Sequence, residues 1–176
     1  MYKKSSMAVW LGIVVLSLDI LTKFFVQCYL SPANTFLSNY PYQGIPIFSD
    51  FFGIELSFIH ATNRGAAWGI LADWQIPLLF VRAGLILSLL IYFLKERSQR
   101  SRDIPIVLVL AGAIGNLIDY FFYGHVIDMI HFVFWGYSYP TFNVADTSIF
   151  IGGALWLFGE WRKAMTSENQ YAGRGD

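Results

Sequence analysis

The chain has a single cysteine, Cys28, among its 176 residues. It can form no internal disulfide, and one thiol cannot build a zinc cage alone. Charge is scarce too. Only 14% of residues are Asp, Glu, Lys or Arg, against about 25% in a soluble domain, too few to wet the surface of a water-soluble protein. Lys and Arg number 12, as do Asp and Glu. The net charge is therefore zero, and a nucleic-acid partner has no electrostatic basis. Abundant apolar mass and the lack of net charge exclude a disordered chain. The chain is 56% hydrophobic and 18% aromatic, with a mean hydropathy of +0.50. This is a membrane composition, at a length that suits one domain.

Four apolar runs approach the roughly 20 residues that cross a bilayer: about 7–29, 76–94, 104–122 and 144–161. Lys3 and Lys4 give the first run the look of a secretory signal, but it has no A-x-A cleavage site, and Asp19 and Lys23 interrupt it. It reads as retained. Basic residues gather at Lys3 and Lys4, at Lys95, Arg97, Arg100 and Arg102, and at Arg162, Lys163 and Arg174; the other connections hold only Arg64. The positive-inside rule then places both termini and the 95–103 connection in the cytoplasm, and segments 31–75 and 123–143 outside. Residues 54–61, IELSFIHA, alternate as a strand does. The expected fold class is an all-α polytopic membrane protein with four transmembrane helices and a small extracytoplasmic β-sheet. A single domain is expected over 1–166, with a polar cytoplasmic tail at 167–176.

Ionisable groups at membrane depth are costly and usually mark function. Asp19 and Lys23 are four apart and share a helix face. Gly112, Asn116 and Asp119 follow i, i+4, i+7 spacing on the third run. Asn143 and Asp146 open the fourth, and Asp128 lies in the apolar stretch VIDMIHF just beyond the third. All converge on the outer half of the bilayer. Asp19 with Lys23 reads as a structural pair, Asn116 as interhelical glue and Asn143 as an N-cap. Gly112, Gly115, Gly152 and Gly153 read as sites of close helix contact, and His60, His125 and His131 as interfacial hydrogen-bonding residues. Asp128 and Asp146 differ, because neither has a basic neighbour in sequence and both face one compartment.

Two carboxylates within hydrogen-bond reach cannot both ionise easily, so one keeps its proton and the other stays charged. The charged one can deprotonate a water between them, and the protonated one can polarise a carbonyl oxygen. That is general acid–base peptide hydrolysis without a covalent intermediate. Other chemistries fit less well. There is no G-x-S-x-G, and His125, Asp128 and His131 (H-x-x-D-x-x-H, one turn apart on a helix) lack the further ligands of a zinc site.

These residues lie in blocks that resemble the lipoprotein signal peptidases (signal peptidase II). The blocks are DILTK at 19–23, TNRGAAWGI at 62–70, GAIGNLID at 112–119, GHVIDMIHF at 124–132 and FNVADTSI at 142–149. They stand in the family's order and span nearly the whole chain. The resemblance implies a bacterial inner-membrane aspartic endopeptidase that cuts a prolipoprotein before a diacylglyceryl-modified cysteine. It implies Asp128 and Asp146 as the catalytic pair. It implies Asp19, Lys23, Asn63, Gly65, Gly112, Asn116, Asp119, Asn143 and Ala145 as residues that bind substrate or support the site. It also makes the outer sheet a substrate cradle. No metal or organic cofactor is implied, the partners are the lipidated substrate and membrane lipid, and a monomer suffices. Two positions depart from the family's pattern: Tyr120, where it usually has Arg, and His131, where it often has an acid. The alternative reading, from another class, is a small transport or proton-handling protein with a path through Asp19, Lys23, Asp119 and Asp146. A third is an assembly subunit whose polar groups only hold helices together.

Overall fold

In the computed structural model, residues 5–33, 39–64, 74–96 and 100–172 are described, and each of the four apolar runs is helical. The first, free of proline, forms α1 (Ser6–Tyr29). Two strands follow, β1 (Ile45–Phe51) and β2 (Ile54–Asn63), then α2 (Gln75–Lys95) and α3 (Arg100–Tyr123). The chain continues as β3 (Val126–Phe134), the short β4 (Tyr137–Ser138) and α4 (Val144–Ala172). Among the described residues, α1, α2 and residues 101–123 of α3 are long and apolar enough to cross a membrane. The fourth helix is not among them. Its apolar stretch is short, with Asn143 and Asp146 before it and Glu160, Arg162 and Lys163 closing it. It also runs on through Ala172, into the stretch expected as a tail.

The small sheet expected beside the helices is present, with four antiparallel strands in the order β1-β2-β3-β4. The strand at 54–61 is there as part of β2, but VIDMIHF proves to be β3 rather than a connecting stretch. Its residues favour that outcome: Val126, Ile127, Ile130 and Val133 are β-branched, and Phe132 and Phe134 are aromatic. Two tight turns join the strands. Phe52 and Gly53 (φ 54° and 79°) link β1 to β2, and Trp135 and Gly136 (φ 49° and 84°) link β3 to β4. Two central residues of positive φ make type I′ hairpins, whose backbone twist matches that of the strands.

The apolar core is split in two. Ala8, Phe93, Ile106, Val107 and Leu110 form one cluster, capped by a stacked Tyr92–Trp156 pair. Val26, Ile127 and Met129 form the other, where α1 meets β3. Close helix approach is permitted by glycine. A Cβ on Gly112 would collide with the Ala145 carbonyl, and one on Gly115 with the Asp19 carboxylate. One on Gly152 would stand 2.7 Å from the Pro105 carbonyl. Gly153, expected to share this role, faces open space instead. Backbone oxygens and a fixed carboxylate cannot retreat as a flexible side chain can. Gly112→Ala and Gly115→Ala should therefore each lower stability by about 2–3 kcal/mol. Gly153→Ala should be neutral or raise it by up to ~1 kcal/mol through helix propensity. Unfolding midpoints in detergent check all three.

Candidate active site

Lys23, on α1, is 1% exposed, and Asp19, one turn earlier, is fully buried. The Lys23 ammonium has three oxygen partners: Asp19 Oδ2 at 2.7 Å, Asp119 Oδ2 at 2.8 Å and Asn116 Oδ1 at 2.9 Å. The last two come from the α3 stripe with i, i+4, i+7 spacing, which therefore faces α1. An ammonium can only donate, so it fixes the Asn116 amide with its oxygen toward Lys23. The Asn116 Nδ2 is then turned outward and donates to Asp146 Oδ1 at 2.8 Å.

The start of α4 is held in the same way. Asn143 caps the helix, its Oδ1 accepting the Asp146 backbone N–H at 2.8 Å, the N3 position that an N-cap side chain satisfies. Asp19 accepts the Ala145 N–H at 2.8 Å. A carboxylate from α1 thus supplies a second cap to a helix 126 residues further along, which no local pattern could reveal. Because the Asn143 oxygen is committed, its Nδ2 must donate elsewhere. It reaches Asp128 Oδ1 at 2.8 Å, Asn116 Oδ1 at 3.1 Å and the Ile127 carbonyl at 3.2 Å. Asp128 is 3% exposed on β3. Its strand is anchored by the Ile127 N–H donating to Asp119 Oδ2 at 3.2 Å.

Two asparagine amides thus hold two aspartates: Asn143 grips Asp128, Asn116 grips Asp146, and Asn143 joins the two amides. Asn63, at the end of β2, also donates to Asp128. Burial first, and then the charge of Asp146, push the Asp128 carboxyl up to about 7. Hydrogen bonds from Asn63 and Asn143 and the charge of Lys23 pull the other way. Asp146 stands in the first turn of α4.

Of the residues singled out from the sequence, Asp19, Lys23, Asn63, Gly112, Asn116, Asp119, Asp128, Asn143, Ala145 and Asp146 thus belong to one connected cluster. Gly65 lies outside the described residues, as does most of the block at 62–70. The H-x-x-D-x-x-H residues do not converge. On a strand, side chains three apart point to opposite faces, and His131 meets Ser138 Oγ at 2.8 Å and the edge of the Tyr42 ring. Burial holds the His131 imidazole below the usual histidine range. His60 donates from Nδ1 to the Leu30 carbonyl at 3.0 Å. Among the described residues, no three His, Cys, Asp or Glu side chains come together as a metal would require.

The profile of the peptidase A8 family, signal peptidase (SPase) II, matches residues 11–162. A lipoprotein signal peptidase of Psychromonas ingrahamii is 37% identical over 154 residues, covering 85% of this chain and 81% of that protein. One of Burkholderia mallei is 36% identical over 165 residues, 90% of each. Among solved structures, a bacterial membrane enzyme determined by the in meso method at 2.3 Å resolution superposes with a TM-score of 0.77. It is 26% identical and is covered over 94% of its length by 93% of this chain.

Two outcomes follow from this geometry. Lys23→Met strands Asp19 and Asp119 as facing buried acids and should cost about 3–5 kcal/mol; adding Asp119→Asn should recover part of that loss, read as unfolding midpoints in detergent. Asp128 gives a pH signature. An acid raised from 3.8 to about 7 holds its proton longer when folded, so its contribution to stability falls as pH rises across that interval. Asp128→Asn should therefore be near neutral at pH 5 and stabilising by about 2 kcal/mol at pH 8, seen as a mutant-minus-parent midpoint difference that grows with pH.

Proposed function

The chain belongs to the signal peptidase II family, and from that premise we propose that Asp128 and Asp146 are the catalytic pair of an aspartic endopeptidase. Its family and relatives make it a bacterial membrane peptidase that removes signal peptides from prolipoproteins. The reading goes further: the cut falls before a cysteine carrying diacylglycerol, and a monomer suffices.

The observation that carries the catalytic assignment is the shared grip on the two aspartates. The Asn143 and Asn116 amides bind one carboxylate each and one another, and the charge of Asp146 raises the proton affinity of Asp128. Such a pair holds one proton at neutral pH and titrates as a unit. The ionised member takes a proton from water as its oxygen attacks the scissile carbonyl carbon. The protonated member gives its proton to the carbonyl oxygen, forming a gem-diol. Collapse of the gem-diol breaks the C–N bond as the leaving nitrogen takes a proton from the pair. Asp19, Lys23, Asp119, Asn116 and Asn143 act by positioning. Gly65 completes the set carried by the block at 62–70.

The topology belongs to the same reading. The fourth helix is the fourth span, both termini lie in the cytoplasm, and the site lies at the outer face of the inner membrane. The ends of the helices support it. Ser5 N–H donates to Asp103 at 3.1 Å, and Arg102 lies 3.6 Å from Glu160. The starts of α1 and α3 therefore share one end with the basic close of the fourth helix's apolar stretch. A proton path would have to continue through that end, but there the interior is the apolar cluster of Phe93, Ile106, Val107 and Leu110.

Asp128→Asn and Asp146→Asn should each reduce cleavage of a diacylglyceryl-modified precursor by at least about a thousandfold, with insertion and elution on size exclusion unchanged. Turnover near the parent's in either folded variant defeats the assignment.

A further inference from the structure

The sheet has two unlike faces. Three ranks of apolar residues cross β1, β2 and β3: Ile45–Phe58–Ile130, Phe48–Leu56–Phe132 and Phe51–Ile54–Phe134. Between them lies the polar set of the opposite face, where Ser57 stands across from His131 and Glu55 takes a hydrogen bond from Tyr42 at 2.7 Å. The first apolar rank begins at an apolar groove of about 270 Å³, where Phe58 and Ile130 meet Leu21 and Phe25 of α1. Both α1 residues are exposed on a helix apolar and long enough to span a bilayer. The apolar surface thus continues from a lipid-facing helix, rank by rank, to the far end of the sheet.

At that end the two hairpin turns lie side by side. Trp135 N–H donates to the Gly53 carbonyl at 2.8 Å, and a Cβ on Gly53 would stand 2.6 Å from the Trp135 ring, so the turns form one block. A type I′ turn usually opens with Asn or Asp, which tolerate positive φ. Here bulky aromatics, Phe52 and Trp135, occupy those positions at φ 54° and 49°, a steric cost returned only by contacts within the tip, Phe52 against Phe51 and Trp135 against Phe134 and Gly53. Phe52 is 81% exposed, Trp135 75%, Tyr137 64% and Phe51 60%. The four strands contain no Lys or Arg, so the tip cannot attract an acidic partner by charge. Aromatic rings at the edge of a membrane protein favour the lipid headgroup boundary. Ser49 and Asp50, exposed beside them, limit the depth to that boundary.

We infer that the double-turn tip formed by Phe51, Phe52, Trp135 and Tyr137 is a membrane-interface anchor. It embeds in the bilayer leaflet on the sheet's side and holds the sheet's far end against the lipid. The inference rests on the membrane character of the chain and is independent of the catalytic assignment.

The test uses full-length protein carrying Cys28→Ser, because Cys28 is exposed, reconstituted in phosphatidylethanolamine–phosphatidylglycerol vesicles. An environment-sensitive fluorophore is attached at Phe52→Cys or, separately, at Tyr137→Cys. Asn39→Cys, exposed in the loop that leads to Tyr40 and Tyr42, is the aqueous reference. Both tip labels should be quenched several-fold more by a shallow lipid-borne nitroxide than the reference, and several-fold less by iodide. Should one tip variant fail to fold, the other gives the same reading. Iodide quenching equal to the reference, with no lipid quenching, overturns the anchor. Shielding from both quenchers with a doubled particle mass assigns the tip to a second copy and overturns it as well. Cleavage activity is not the readout, so a failed anchor and a failed catalytic assignment remain distinguishable.

Discussion

A buried lysine organises this molecule. An ammonium removed from water costs several kcal/mol unless its donors are met by oxygen, and at membrane depth no solvent can meet them. Lys23 is met by Asp19 from its own helix and by Asn116 and Asp119 from α3. Removing the lysine leaves two buried acids facing each other without a cation, so the arrangement holds as a unit. Its consequence is directional. Because Lys23 can only donate, Asn116 must turn its amide nitrogen toward Asp146, and the orientation of a supporting side chain is dictated from the neighbouring helix.

From that centre the constraint spreads to the other elements by backbone hydrogen bonds. Asp119 holds the Ile127 N–H at the head of β3, one residue before Asp128. Asp19 holds the Ala145 N–H at the head of α4, one residue before Asp146. Each proposed catalytic aspartate therefore follows a residue whose backbone is tied to a partner of Lys23. The approach this requires is possible only because Gly112 and Gly115 have no side chain. The polar belt so formed divides the apolar core into two clusters, one among the helices and one beneath the sheet.

The sheet extends the same logic away from the helices. Its alternation sets Glu55, Ser57 and His131 against Tyr42 and Ser138 on one face, leaving unbroken apolar ranks on the other. A face of that kind has a natural place only beside lipid or beside an apolar ligand. It lies along the strand from Asp128, so hydrolytic chemistry and an apolar surface occur together.

Composition and periodicity by themselves determined the membrane class, four helical runs, of which the first three lie close to their observed limits and the fourth falls short of its observed end, and the strand at 54–61. They also marked most of the residues that form the cluster, because charges amid apolar runs are conspicuous one by one. The spacing of Gly112, Asn116 and Asp119 was legible as a single helix face, and Asn143 as a cap. Tertiary structure alone decided that VIDMIHF is a strand, since a short apolar run suits several elements until it finds neighbours to pair with. It alone brought Asp19 to the start of α4 and set the orientation of the two asparagine amides. Those contacts join groups that are remote along the chain, and their geometry follows from donors and acceptors that meet only once the helices have packed.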